Sequence, residues 1–327
     1  MPSAEERVID LFRPLARHPG AFGLADDCAA VTPPPGTDLV LKADAIVGGV
    51  HFFADDPPAD IARKALRVNL SDLAAKGAKP LGFLLSLALP SDIGDAWVAN
   101  FAKGLGQDAE HYGCPLLGGD TVSTPGPVTV AVTVFGSVPT GTMLTRGGAK
   151  AGDRVLVSGT IGDAALGVRL CNDPTLATRW ALNPTQTQDL IGRYRLPQPR
   201  NAAAEALRQL AHAGMDISDG LVGDLEKMCR VSGVAATIRV ERVPMSEAAR
   251  LALAADSSLI EPILTGGDDY EIVACVEGDK VMPLCRAAEA AGVALTEIGN
   301  ITGGQGVRVL GGDGKVLAFK QTSYSHF

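Results

Sequence analysis

Lys64-Ala65-Leu66-Arg67-Val68-Asn69-Leu70-Ser71-Asp72-Leu73-Ala74-Ala75-Lys76-Gly77-Ala78 is the stretch around which the chain is organised. Leu66, Leu70 and Leu73 recur at helical spacing, and Asn69 and Asp72, three apart, share a face. The spacing predicts a helix from about Ala59 to Lys76 that carries an amide and a carboxylate into apolar surroundings. Ala74 and Ala75 let another element approach closely. As a buried carboxylate with no basic partner beside it, Asp72 needs a metal ion or several donors.

Upstream, Asp38 to Ala45 alternates as a strand does, with Leu39, Leu41 and Ala43 on one side and Val40, Lys42 and Asp44 on the other. Gly48-Gly49-Val50-His51-Phe52 follows. Earlier still, Ser3 to Ala16 reads as a short amphipathic helix, and Gly23-Leu24-Ala25-Asp26-Asp27 as a loop entering a strand near Val31. Adjacent carboxylates repel, so Asp26 and Asp27 are most stable if a cation compensates them or one faces solvent.

Downstream, Gly82 to Pro90 reads as an apolar strand, Asp95 to Tyr112 as a helix, and Cys114 to Leu117 as a short strand. That strand delivers Gly118-Gly119-Asp120-Thr121 into a loop. Val128 to Phe135 is a β-branched strand. The Gly- and Pro-punctuated run from Gly136 to Gly152 marks a boundary, dividing the chain into domains at 1–138 and 139–327.

In the second domain the reading gives strands at Asp153 to Val157, Thr237 to Val243 and Tyr270 to Val276. Helices are expected at Asn201 to Ala213, after Gly220, and at Lys280 to Ala291. Hairpin-type turns between Gly303 and Gly314 precede a strand at Val316 to Phe319. The order around Asn172 to Asp189 stays undecided. The pattern is that of an α/β (α+β) chain, with a mixed-sheet N-terminal domain and an α/β C-terminal domain.

A chain of 327 residues with 46% hydrophobic and 20% charged residues can bury a sizeable core and is not disordered. Its formal net charge of −8 disfavours general attraction to nucleic acid. It leaves room for a phosphate substrate, because divalent cations can stand between aspartates and phosphate oxygens. Cys28, Cys114, Cys171, Cys229, Cys275 and Cys285 show no CxxC spacing and read as core or near-core thiols of a reducing compartment. With no apolar run long enough to span a bilayer and no leader-like opening, the expected location is the cytoplasm.

Asp26, Asp27, Asp44, Asp72, Asp120, Asp216 and Asp219 fall at strand exits, helix starts or on the organising helix. Hard oxygen ligands without a matching His/Cys cluster favour magnesium over zinc, and with Gly-rich loops they point to phosphoryl transfer or phosphate activation. Gly118-Gly119-Asp120 and Ser158-Gly159-Thr160-Ile161-Gly162 can each present backbone N–H groups to phosphate. The GxxxxGK[ST] loop and the protein-kinase motifs are absent. Arg146 can grip a phosphate bidentately or serve a salt bridge, and His51 can contact substrate or make a structural hydrogen bond. Ser218 or Asp219 can cap the helix that follows them. Trp97 and Trp180 read as packing residues.

Taken together, these motifs resemble the thiamine-monophosphate kinase family, of the aminoimidazole ribonucleotide synthetase-like ATP-binding superfamily. The matching residues are Gly23 to Asp27, Asp44 to Phe52, Val68 to Ala75, Gly118 to Thr121, Leu144-Thr145-Arg146 and Gly159 to Ala165. Asp216 to Leu221, Gly266 to Glu271 and terminal His326-Phe327 complete the series. The resemblance implies a kinase of thiamine biosynthesis that transfers the ATP γ-phosphoryl group to thiamine monophosphate, giving thiamine diphosphate and ADP. It implies Mg2+ on Asp27, Asp44, Asp72, Asp120, Asp216 and Asp219, and ATP on Gly119, Asp120, Arg146 and Ser218. Thiamine monophosphate falls to His51, Asp268 and Tyr324, and catalysis to Asp72, Asp120 and Arg146. A homodimer formed through the N-terminal domains is also implied, with neither nucleic acid nor membrane as partner.

The chain departs from the family pattern at several points. Ala25 replaces a glycine, Lys42 a small hydroxyl residue, and Gly48 a larger or acidic residue. Asp268 replaces a glutamate, and the ending Ser323-Tyr324-Ser325 is unusual. The alternatives are another ATP-dependent synthetase of the superfamily, or a non-catalytic protein that binds nucleotide or thiamine phosphate.

Overall fold

The computed structural model describes residues 4–324, so the terminal His326-Phe327 lies outside the described residues. One compact unit runs up to Leu73 and resumes from Ala78 to Thr142; another takes Ala74–Gly77 and the chain from Met143 onward.

The first unit opens with α1 (Ala4–Phe12) and 3-10 turns at Arg13–Leu15 and Pro19–Leu24. It continues through β1 (Thr37–Val47), α2 (Pro58–Ala75), β2 (Lys79–Leu89), α3 (Asp95–His111), β3 (Leu116–Ser123) and β4 (Thr129–Pro139). The sheet order is β1-β4-β2-β3, with β2 and β3 parallel and the other neighbours antiparallel. Pro58 opens α2, where its missing N–H costs nothing. Leu66, Leu70 and Leu73 are fully buried, and so are Phe83, Val130, Val132 and Val134 of the sheet. Helix α3 lies against α2, since a Cβ at Gly104 would come within 2.4 Å of the Ala59 carbonyl oxygen. A paired contact from Arg67 to Asp108, at 2.5 and 2.9 Å, ties the two helices together. Trp97 stacks on Phe101 with ring centroids 5.3 Å apart, as a packing residue does.

Two expectations about this unit need correction. No strand forms near Val31: the chain from Ala25 to Gly36 is irregular, held open by Pro33 to Pro35, and β1 is the first strand among the described residues. Gly118-Gly119-Asp120-Thr121 is not a loop either. It lies within β3, the edge strand, paired in parallel with Leu84 to Leu87.

The second unit contains β5 (Arg154–Ser158), α4 (Asp163–Asn172), α5 (Leu176–Arg179), α6 (Pro184–Arg195), α7 (Ala204–Leu210), β6 (Ala213–Ile217) and α8 (Leu221–Ser232). It goes on through β7 (Ala235–Arg239), α9 (Glu247–Ala255), α10 (Ile260–Thr265), β8 (Glu271–Val276), α11 (Val281–Ala290), β9 (Leu295–Thr302) and β10 (Gly306–Leu310). Its strands are ordered β10-β7-β9-β5-β8-β6, and among the described strands of this sheet only the β10/β7 pair is parallel. Both sheet faces are buried. Val155, Val157, Val273 and Cys275 enter one core with residues of α4, α8 and α9, while Leu156, Ile272, Ala274 and Val276 enter another with residues of α7 and α11.

The undecided stretch resolves into α5 and α6. Asn183 and Gln186 form a reciprocal capping box, with Pro184 in the first turn of α6. Of the hairpin-type turns expected between Gly303 and Gly314, the one after β10 forms, with the Gly311 N–H donating to the Lys315 carbonyl and the Leu317 N–H to the Val309 carbonyl, while the expected strand from Val316 to Phe319 does not. β9 and β10 are separated in the sheet by β7, and Val316 forms only an isolated bridge with Leu310. Cys28 is exposed rather than near-core, whereas Cys114, Cys229 and Cys275 are buried, and none of the six cysteines forms a disulfide.

Candidate active site

In the first unit, β1 presents Val40, Lys42 and Asp44 to the side on which α2 lies. Asn69 binds the two elements together: its Oδ1 accepts the Asp44 N–H at 3.0 Å, and its Nδ2 donates to the Ala65 carbonyl at 2.9 Å. Beside it, the Lys42 Nζ sits 3.0 Å from Asp44 Oδ1 and 2.9 Å from Asp72 Oδ2. Asp72 therefore has a basic partner, supplied by a strand remote in sequence, and the expectation of an isolated carboxylate is corrected. Burial works to lower the Lys42 pKa, but Asp72 and then Asp44 outweigh it and hold the ammonium above the ordinary lysine value.

The remaining candidates of this unit are spread apart. Strand register places Asp120 beside Ser86, which faces Ala131 and so Ala45, on the opposite side of the sheet from Asp44. Asp26, Asp27, Gly119 and Asp120 are all exposed. Ahead of Asp26 and Asp27, Phe22, Gly23 and Leu24 all hold positive φ, at 49°, 64° and 58°. Two non-glycine residues in that region are a local strain of the kind found at functional turns. His51 Nδ1 accepts the Val47 N–H at 3.1 Å, which makes the neutral ring an Nε2–H tautomer.

In the second unit several predicted residues converge. Ser218 and Asp219 leave the buried strand β6, and the Ser218 carbonyl accepts the Asp268 N–H at 2.8 Å. The Asp219 carbonyl accepts the Tyr324 N–H at 2.9 Å. The loop that brings Asp268 there holds left-handed φ at Gly267 (76°), Asp268 (63°) and Tyr270 (49°). A Cβ at Gly267 would stand 2.5 Å from the Ser218 carbonyl oxygen, so only glycine fits. Asp216 is buried on β6, and Arg146 is exposed.

Neither Ser218 nor Asp219 caps α8. Gly220 occupies the N-cap with φ 119° and no side-chain cap forms. Instead Asp224 Oδ2 accepts the N–H groups of Ser218 at 3.0 Å and Asp219 at 2.9 Å. Lys227 then bridges Asp219 and Asp224, its Nζ 2.8 Å from Asp224 Oδ1. Sequence reading missed both residues, although Asp224 and Lys227 stand at helical i,i+3 spacing.

The Ser158 to Gly162 loop also differs from expectation. Its N–H groups at Gly159, Ile161 and Gly162 already donate to Ala294, Pro244 and Asp269, so these three are not offered to a phosphate. Behind the loop, Glu271 is fully buried and accepts from Ser158 Oγ at 2.5 Å, Arg193 Nη2 at 2.7 Å and Arg200 Nε at 2.7 Å.

Both halves of the chain match known family descriptions: AIR synthase related protein, N-terminal domain, over residues 25–138, and AIR synthase related protein, C-terminal domain, over residues 150–312. A thiamine-monophosphate kinase of Caulobacter vibrioides is 42% identical over 310 residues, covering 94% of this chain and 86% of that protein. The chain belongs to the thiamine-monophosphate kinase family. The crystal structure of the thiamine-monophosphate kinase from Stenotrophomonas maltophilia K279a matches with a TM-score of 0.85 at 39% identity, over 97% of this chain and 99% of that one. A structure described as AaThiL complexed with AMPPCP and TMP matches with a TM-score of 0.79 at 31% identity, over 94% of this chain and 97% of that one.

In this member of the thiamine-monophosphate kinase family, the loop around Asp268 rests on a buried neighbour. Asp269 is almost fully buried, and both its oxygens accept the Gly162 N–H, at 2.9 and 3.0 Å. Burial pushes its pKa well above the ordinary carboxylate range despite that hydrogen bond. A raised folded-state value means that stability from this group is complete below the unfolded value and is lost as pH rises through the folded one. Asp269→Asn is therefore expected to flatten the decline of unfolding temperature as pH rises from about 4, the ordinary aspartate value, upward. Calorimetry of both proteins across that range checks this; parallel profiles would contradict it.

Proposed function

We propose that the chain transfers the γ-phosphoryl group of ATP to thiamine monophosphate, giving thiamine diphosphate and ADP. The carrying observation is the convergence of Ser218, Asp219, Asp268 and Tyr324 in a chain whose relative was solved with AMPPCP and TMP. The acceptor is itself a phosphate oxygen, so no strong general base is required and positioning with charge neutralisation is sufficient. In this reading Arg146, Gly119, Asp120 and Ser218 contact the nucleotide, and His51, Asp268 and Tyr324 orient thiamine monophosphate.

Mg2+, when bound, would supply positive charge to the phosphate oxygens. The carboxylates of Asp27, Asp120 and Asp216 are hard oxygen donors of the kind it takes. Those of Asp44, Asp72 and Asp219 are already held by the ammonium groups of Lys42 and Lys227. Among the described residues, no group of three or more His, Cys, Asp or Glu side chains is gathered closely enough to hold a metal ion.

We place the enzyme in the cytoplasm; no helix among the described residues is long and apolar enough to cross a membrane. Pairing with a second copy through the first unit would cover its bare sheet face, where Leu39 and Leu41 are 46% and 62% exposed. Sedimentation at the monomer value would refute that pairing.

The decisive assay compares thiamine monophosphate, free thiamine and unrelated nucleotide monophosphates with ATP and magnesium, identifying products directly. Failure to form thiamine diphosphate refutes the proposal. Arg146→Lys keeps the charge but loses the bidentate grip. It is expected to raise the ATP concentration for half-maximal rate about tenfold, the loss of about one charged hydrogen bond. Unchanged ATP dependence would mark Arg146 as structural.

A further inference from the structure

Lys42 stands where the family reading calls for a cation. Its two partners are carried on regular elements of the fold, although the Asp44 carboxylate is itself 40% exposed. Asp44 is fixed by β1 and by the hydrogen bond from its N–H to Asn69, and Asp72 rides on the buried helix α2. Backbone elements thus set the gap between the carboxylates, and the ammonium fills it at 3.0 Å and 2.9 Å. A divalent ion seated between the same oxygens would have to expel the ammonium and break both charge-assisted contacts. With the lysine in place, the pair carries one net negative charge instead of two, which weakens its attraction for a second cation.

We propose that the Lys42 ammonium is the resident cation of the Asp44–Asp72 pair and takes the place of a divalent ion there. An ammonium has three N–H donors. Two serve the carboxylates, and the third is available to an anionic phosphate oxygen of the reactants. This deepens the phosphoryl-transfer reading: the chain carries part of its positive charge covalently, and its divalent-ion requirement rests on its other carboxylates.

The test counts bound Mn2+ by the loss of the free-ion electron paramagnetic resonance signal, using the full-length chain without nucleotide. Four proteins are compared: wild type, Asp72→Asn, Lys42→Ser and the double variant. If Lys42 is the resident cation, Asp72→Asn binds as many Mn2+ ions as wild type. Lys42→Ser binds one more per chain, and the double variant loses that extra ion. A wild type that loses one ion on Asp72→Asn overturns the proposal, as does a folded Lys42→Ser that gains none. Should Lys42→Ser fail to fold, the comparison of wild type with Asp72→Asn decides alone. Product formation from thiamine monophosphate is scored separately, so a failed kinase assay with the expected Mn2+ counts refutes the activity and not the role of Lys42.

Discussion

Glu271→Ala is expected to destabilise the second unit by about 3–5 kcal/mol, because it removes the anion that two buried guanidinium groups share. Glu271 is inaccessible to solvent, and the side chains of Arg193 and Arg200 are only 12% and 17% exposed. Neither arginine can recover its lost partner by turning to water, and the Ser158 hydroxyl loses its acceptor as well. Scanning calorimetry reads the effect as a drop of roughly ten degrees in the transition of this unit. Removing Arg200 in the Glu271→Ala background should then add little, since both changes break the same network. A shift of under two degrees for Glu271→Ala would mean the cluster contributes nothing beyond shape.

Asp72→Asn is expected to act on rate rather than on folding. The substitution keeps the size and one oxygen acceptor of a side chain that is 18% exposed, so the unfolding temperature should move by only a few degrees. It releases Lys42 toward Asp44 and shifts the ammonium out of the position that two carboxylates define. Misplacement of a charged group by about 1 Å costs on the order of a hundredfold in rate. A parallel measurement of thiamine diphosphate formation and thermal melting separates the two effects. Near-normal turnover would remove Asp72 from the reacting region.

What sequence reading could recover follows from where the determining contacts lie. Helix α2 and the two faces of β1 were legible because periodicity is a local property: Leu66, Leu70 and Leu73 are buried, and Val40 is buried between exposed Leu39 and Leu41. The β9 strand was not, because Glu297, Gly299 and Asn300 have weak strand propensity and form a strand only between two neighbours. Gly299 is needed there, since a Cβ would come within 2.1 Å of the Thr237 carbonyl oxygen. The candidate site shows the same division. The acidic residues stood out by type, but the Lys42 bridge and the arginines around Glu271 depend on chain segments far apart in sequence. The Asp224 and Lys227 pair was within local reach and lay hidden behind the more conspicuous Ser218-Asp219-Gly220.

The strand order of the second sheet also bears on how this protein emerges from the ribosome. Strand β5, made early, is flanked by β8 and β9, and β7 by β9 and β10, so interior seats of the sheet are filled by segments synthesised near the end. Until residues through Val276 have cleared the exit tunnel β5 has no strand to join it, and β7 waits until Thr302. The nascent chain must carry β-branched, apolar edges without partners for that interval, which exposes this half to mispairing during synthesis.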